Sequence, residues 1–174
     1  MSNLMLDTPT HYEVIPGLLF AGSCPWDMVS GRDLVSELNV LGVHEFITLR
    51  DDLNLMDISS RFVSVYPDMS IVQFPIKDFS VPDSQMMRQI LDVMKAHVLN
   101  NRKVYVSCAK GLGRTGIVIG CFLSEYLDLS GEEALQQMNL KRAQCDFEKD
   151  CHSPETPEQI EFVLQWNSSS SIER

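Results

Sequence analysis

Val104-Tyr105-Val106-Ser107-Cys108-Ala109-Lys110-Gly111-Leu112-Gly113-Arg114-Thr115-Gly116 places a cysteine and an arginine around a glycine-bearing loop, with five residues between them. Val104, Tyr105 and Val106 read as a short buried strand, and Ile117-Val118-Ile119-Gly120-Cys121-Phe122-Leu123 as an apolar helix. The loop therefore opens a helix N-terminus, where backbone N–H groups face its interior and the helix dipole favours an anion. Gly111 and Gly113 let the chain curl tightly enough to surround a tetrahedral oxyanion. The same positive environment favours the thiolate form of Cys108, and the planar fork of Arg114 can hold two phosphate oxygens. Nucleophile and anion site coincide in Cys108, Ala109, Lys110, Gly111, Leu112, Gly113 and Arg114. The competing reading, a buried structural cysteine beside a surface arginine, does not account for strand, Cys-x5-Arg-Thr and helix in a single run.

This loop resembles the signature of the protein tyrosine phosphatase superfamily. Its Gly-Leu-Gly-Arg-Thr-Gly half is similar to the small dual-specificity branch that includes the atypical and kinase-associated phosphatases. The resemblance covers roughly Val14 to Trp166. It departs at Ser107, where the family usually carries histidine. Serine can donate a hydrogen bond there but brings no positive charge.

The 174 residues suffice for one domain with a full core, expected over 1–174 with its core at about 14–166 and a flexible tail at 167–174. No run approaches a membrane-spanning length, and Met1-Ser2-Asn3-Leu4 lacks the basic start and long apolar core of a secretory signal. Five cysteines, Cys24, Cys108, Cys121, Cys145 and Cys151, are an odd number without framework spacing, which fits a reducing cytoplasmic location. A formal charge of −10 argues against nucleic acid as a partner. An anionic substrate must find a local positive spot, which Arg114, the loop amides and Lys110 can supply. Lys110 carries two readings: a solvated side chain on the loop rim, or a preference for more highly charged phosphates as in lipid- and inositol-directed relatives.

Val14 to Gly22 predicts a first strand entered through the Pro16-Gly17 turn. Ser30 to Leu41 has helical spacing with Gly42 at its C-cap, and Glu45 to Leu49 a buried strand. Arg50 to Ser60 is polar and acidic and predicts a loop. Ile71 to Phe74 predicts a strand, and Asp83 to Asn100 a helix with Met86, Ile90, Leu91, Met94 and Val98 on its apolar face. Ser130 and Glu133 form a capping box that launches a helix through Leu140. Thr156-Pro157-Glu158-Gln159 starts another, with Phe162, Val163 and Trp166 inward. Strands alternating with helices predict a single-domain α/β sandwich, its central mostly parallel sheet flanked by helices and its catalytic loop at the C-terminal edge of a central strand.

A phosphate monoester needs its leaving oxygen protonated as the P–O bond breaks, so a Cys/Arg loop requires an acid nearby. Pro75-Ile76-Lys77-Asp78-Phe79-Ser80-Val81-Pro82 resembles the general-acid loop of small dual-specificity phosphatases, and Asp78 lies 30 residues before Cys108, a separation similar to theirs. Asp83 is the rival, but its place before a helix is that of a capping aspartate. Asp51 and Asp52 read as solvated loop carboxylates. Thr115 stands where the family has a hydroxyl that can donate to the leaving thiolate; helix capping is a compatible role. Glu155 and Gln159 resemble a late Glu-Thr-x-Glu-Gln segment of atypical members, with a role near the site and plain helix-start chemistry both open. Cys121 reads as packing, Cys145 and Cys151 as free thiols or a regulatory pair. Neither these nor His152 makes a zinc site, and His11, His44 and His97 are scattered.

The resemblance implies a metal-free, cofactor-free phosphatase acting through a phosphocysteine, with Cys108, Arg114, Asp78 and Thr115 as its catalytic residues. The substrate expected is a phosphorylated protein (phosphotyrosine, phosphoserine or phosphothreonine) or a small phosphate ester. Rival readings are an inositol or lipid phosphatase on the same fold and a non-catalytic phosphate-binding scaffold. An RNA 5′-triphosphatase is disfavoured by the acidic composition.

Overall fold

A computed structural model of the chain describes residues 11–26, 31–62, 64–144 and 151–170. Five strands form one sheet in the order β1-β2-β5-β3-β4, with β1 His11–Ile15, β2 Leu19–Gly22, β3 Glu45–Arg50, β4 Ser70–Ile76 and β5 Val104–Ser107. Only the β1/β2 pairing is antiparallel; β2, β5, β3 and β4 run parallel. The stretch expected to be one strand is thus a hairpin. Gly17 turns it at φ 68°, and the Leu18 amide donates to Ile15 O at 3.0 Å.

Among the described residues six helices cover the two faces: α1 Gly31–Val40, α2 Leu55–Phe62, α3 Ser84–Leu99, α4 Gly113–Tyr126, α5 Gly131–Arg142 and α6 Pro157–Ser170. Alternation along the strands decides what each face meets. Leu19, Ala21, Ile47, Leu49, Val104 and Val106 pack with Ile90, Met94, Ile117, Met138 and Val163 of α3, α4, α5 and α6. Phe20, Phe46 and Tyr105 point the other way, onto Leu34 and Leu38 of α1. β2, β3 and β5 are buried on both sides, as the inner strands of such sheets require, while β4 at the edge is only partly buried.

Helix ends follow the chemistry of their residues. Past α1, Gly42 sits at φ 82° while its amide donates to Asn39 O and that of Val43 to Leu38 O, a Schellman termination. Asp83 caps α3, its Oδ1 accepting from the Met86 amide at 2.7 Å. Ser130 and Glu133 close the full capping box at α5.

Two expectations are corrected. The segment read as a loop from Arg50 to Ser60 contains α2: Asn54 Oδ1 accepts from the Met56 amide at 3.0 Å, and Ile58 and Phe62, one turn apart, are buried against Val35. On α3 the fully buried methionine of the first turns is Met87, with Met86 partly buried beside it. Helix α6 runs through Ser170, while residues 171–174 of the expected tail and Cys145 of the considered thiol pair lie outside the described residues.

Candidate active site

The parallel strands end at one edge of the sheet, and the connections that leave it there carry the charged and nucleophilic residues. β5, the middle strand, runs directly into Cys108 and the loop that ends at α4. Ser107, its last residue, is buried and registers with Gly22 of β2 on one side and Thr48 of β3 on the other. Cys108 is 3% exposed.

The loop is clamped to the end of β2. The Cys24 amide donates to Ala109 O at 2.9 Å, and the Tyr105 hydroxyl donates to Ser23 O at 2.7 Å. Gly111 adopts φ 74° with its Cα so close to β2 that a Cβ there would lie 2.4 Å from the Gly22 carbonyl carbon. Glycine is therefore required by both conformation and space. Leu112 supplies no side-chain cap to α4, which leaves the first-turn amides of the helix to serve the loop. Lys110 is exposed on the rim.

Arg114, on the first turn of α4, is 3% exposed and is held from the neighbouring strand ends. Its Nη1 donates to Ile76 O at 3.1 Å, at the end of β4, and lies 3.4 Å from Asp51 Oδ1 beyond β3. Its Nη2 lies 3.1 Å from Asp78 Oδ1. Arg114 Nε and the Thr115 hydroxyl are buried without a hydrogen-bond partner among the described residues. A buried donor normally has an acceptor. An oxyanion within the loop would supply one.

Asp78 follows β4 in a tight turn in which Ser80 donates to Lys77 O from both its amide (3.1 Å) and its hydroxyl (2.7 Å). Phe79 within it has φ 58°. Asp83, the other carboxylate weighed for this role, is spent on its helix cap. Asp51, read as a solvated carboxylate, is exposed and also lies 3.4 Å from Arg114 Nη1; Asp52, likewise exposed, forms a bidentate pair with Arg50 at 2.8 and 2.6 Å, which holds its carboxyl down at about 2.

The remaining described thiols differ in setting. Burial pushes the Cys24 thiol up, partly offset by the Trp26 backbone and Arg50. Cys121 is fully buried in α4 and raised well above the ordinary thiol value by desolvation, the inert packing role expected of it. His11 lies on β1, and His97 Nε2 is 3.8 Å from Glu45 Oε1 at the opposite edge of the sheet.

The late segment before α6 closes the loop from behind. Ser153 Oγ donates to Leu112 O at 2.7 Å, and a Cβ at Gly116 would fall 2.3 Å from that oxygen. A Cβ at Gly113 would meet Glu155 Oε2 at 2.5 Å and the Gln159 amide at 3.0 Å. Gln159 joins both open readings of this segment: its backbone amide donates to Thr156 Oγ1 at 3.2 Å as at a helix start, while its side-chain Nε2 donates to Ser80 O in the loop carrying Asp78. The bracing by Ser153 had no sequence signal, because it joins residues far apart in the chain.

Residues 21–126 match the family described as Polymorphic toxin system, DSP-PTPase phosphatase. Protein MJECL20 of Methanocaldococcus jannaschii is 31% identical over 147 residues, covering 75% of this chain and 91% of that protein. Among solved structures, Tk-PTP in its active form has a TM-score of 0.70 at 23% identity, covering 94% of this chain and 99% of that one. PTPMT1 in complex with PI(5)P has a TM-score of 0.69 at 17% identity, covering 93% and 97%. Among the described residues no helix is long and apolar enough to cross a membrane. The family match takes in the strand, loop and helix around Cys108 and more than half of the chain, which therefore belongs to the DSP-PTPase family and is a cysteine-dependent phosphatase of the small dual-specificity branch.

Proposed function

We propose that this chain is a single phosphatase domain acting in the cytoplasm on phosphotyrosine, and on phosphoserine or phosphothreonine, in proteins, with Cys108 as nucleophile. The observation that carries the assignment is the pair of Cys108 and Arg114 at one amide-lined loop, with Arg114 Nε unpartnered and the Asp78 carboxylate 3.1 Å from the guanidinium. Ala109, Lys110, Gly111, Leu112, Gly113 and Arg114 form the phosphate cradle. Cys108 Sγ forms a bond to phosphorus as the ester P–O bond breaks; the electron pair leaves with the oxygen, which Asp78 protonates. Arg114 and the loop amides hold the equatorial oxygens throughout. Water then attacks phosphorus, Asp78 takes its proton, and the S–P electron pair returns to sulfur, where the Thr115 hydroxyl donates a hydrogen bond to the departing thiolate. Cys108→Ser should abolish turnover while vanadate still binds. Turnover that survives this substitution would overturn the assignment.

A second substrate reading, an inositol or lipid phosphate, is favoured by exposed Lys110 on the loop rim and by PTPMT1, solved with PI(5)P. Side-by-side kcat/KM values on phosphotyrosyl and phosphothreonyl peptides, phosphoinositides and soluble inositol phosphates decide between them. Lys110→Ala should lower only the inositol and lipid activities if that reading holds.

A further inference from the structure

Gln159 is wholly buried on the first turn of α6, and all of its side-chain hydrogen bonds go to backbone. Oε1 accepts from the amides of Glu155 (3.1 Å) and Thr156 (3.2 Å), while Nε2 donates across the site to Ser80 O at 3.3 Å. Both polar atoms of this amide lie 3.0 Å from where a Cβ on Gly113 would sit, so it is wedged against the start of α4. Starting a helix does not require this placement. Thr156 Oγ1 already receives the Gln159 amide, and a side chain that only capped would sit at the surface as Glu133 does in its capping box.

Ser80 lies two residues beyond Asp78, in a turn whose remaining hydrogen bonds are local, to Lys77 and Asp78. Arg114 grips that turn from the loop side through Asp78, and Gln159 grips it from the α6 side through Ser80. When phosphate occupies Arg114 the first grip weakens, because one guanidinium cannot serve both anions equally. The second does not involve the phosphate. We propose that Gln159 is a positioning residue for the general acid: its amide fixes the Ser80 carbonyl, and with it the Asp78 carboxylate, over the phosphate loop during leaving-group protonation. This rests on the reading of Asp78 as the acid.

A neutral amide suits the task because it accepts two N–H groups and donates to a carbonyl at once. Gln159→Glu keeps the shape and the acceptor but loses the donor and faces a carboxylate to Ser80 O. The test is the dependence of kcat/KM on leaving-group basicity across a series of aryl and alkyl phosphates, in the parent, Gln159→Glu, Asp78→Asn and the double variant. Gln159→Glu should cost about tenfold or more on basic leaving groups and less than about twofold on activated aryl esters. In the Asp78→Asn background it should cost nothing further. A uniform loss across leaving groups, an equal loss in the Asp78→Asn background, or a burst showing that phosphocysteine breakdown has become limiting would each overturn the proposal. Gln159→Met, of similar volume and uncharged, takes the same series if the glutamate variant fails to fold, with the same expected dependence. The two readings fail separately: an Asp78→Asn variant without leaving-group dependence removes Asp78 as the acid, whereas dependence in Asp78→Asn but not at Gln159 removes only the positioning role.

Discussion

Asp78 Oδ1 and Arg114 Nη2 stand 3.1 Å apart, so the carboxylate above the phosphate loop and the guanidinium beneath it form one ion pair. The two are unequally placed: the Arg114 side chain is 4% exposed, that of Asp78 56%. A phosphoryl group entering the loop must take over part of the guanidinium, and the solvent-facing carboxylate is the partner free to yield. On the reading of Asp78 as the acid, its release lets the carboxylate take up the proton it then gives to the leaving oxygen.

Asp78→Asn is expected to slow hydrolysis of alkyl and tyrosyl phosphates by about 10²–10⁴-fold while sparing activated aryl esters, which need little protonation. Asp83→Ala should leave kcat nearly unchanged, since that side chain caps α3 through the Met86 amide, and should instead lower thermal stability by about 1 kcal/mol. Steady-state rates over a leaving-group series, with thermal melts of both variants, check the pair. The reverse pattern would transfer the acid role to Asp83.

Asp51 places a negative charge 3.4 Å from Arg114 Nη1, close to where the phosphate charge arrives. The guanidinium keeps its hydrogen bond to Ile76 O without it. Asp51→Asn should therefore tighten competitive inhibition by vanadate by about two- to fivefold, an effect on the order of 1 kcal/mol that shrinks with added salt. Weaker inhibition would mean instead that Asp51 is needed to aim the arginine.

Gly111→Ala introduces a Cβ 2.4 Å from the Gly22 carbonyl carbon at a residue held at φ 74°. The backbone conformation alone costs about 1–3 kcal/mol in a non-glycine residue, and relief of the clash must move the loop away from β2. Loss of vanadate binding together with a lowered melting temperature is expected. An unaltered inhibition constant would show that the cradle does not depend on this contact.

The Arg50–Asp52 pair supplies a pH test. Asp52 is held at about 2 in the folded protein, chiefly by its hydrogen bonds with Arg50, whereas an unfolded aspartate titrates at about 3.9. Its contribution is fully present above the unfolded value and is lost as pH falls towards 2. Because the Asp52 side chain is 61% exposed, solvent screening limits that contribution to less than about 1 kcal/mol. Denaturant melts of the parent and Asp52→Asn should differ at pH 7 and converge as pH is lowered to 2. A gap that persists at pH 2 would assign the effect to packing.

The strand, loop and helix around Cys108 were legible because each residue type there answers a chemical demand within a short span. The turn that carries Asp78 was legible as the turn-rich stretch after a strand, and it sets that carboxylate 3.1 Å from Arg114. Helix α2 was not: Arg50 to Ser60 is dominated by polar side chains, and the inward face of the helix rests on Ile58 and Phe62 with Leu55 partly buried beside them. Asp51 and Asp52 look equivalent in sequence, yet one faces Arg114 and the other Arg50, a choice made by side-chain direction at the end of β3. The contacts of Ser153 with Leu112 and of Gln159 with Ser80 join positions 41 and 79 residues apart, a distance that only the packing of α6 across α4 brings to zero. Local pattern carries no trace of such pairings.

The bracing of the loop by Ser153, itself held through its carbonyl by Asn139 of α5, has a consequence for synthesis. The five strands of the described residues, Cys108 and Arg114 are all synthesised before residue 151. A chain without residues 151–159 would leave the flank of α4 at Gly113 and Gly116 bare, since Ser153, Glu155 and Gln159 cover it and follow the strands in sequence. Docking of residues 153–159 is then a step separable from assembly of the sheet, taken onto strands already in place. Ribosome-bound chains stalled before and after this segment should differ in vanadate-sensitive activity far more than in protection of β5 from proteolysis.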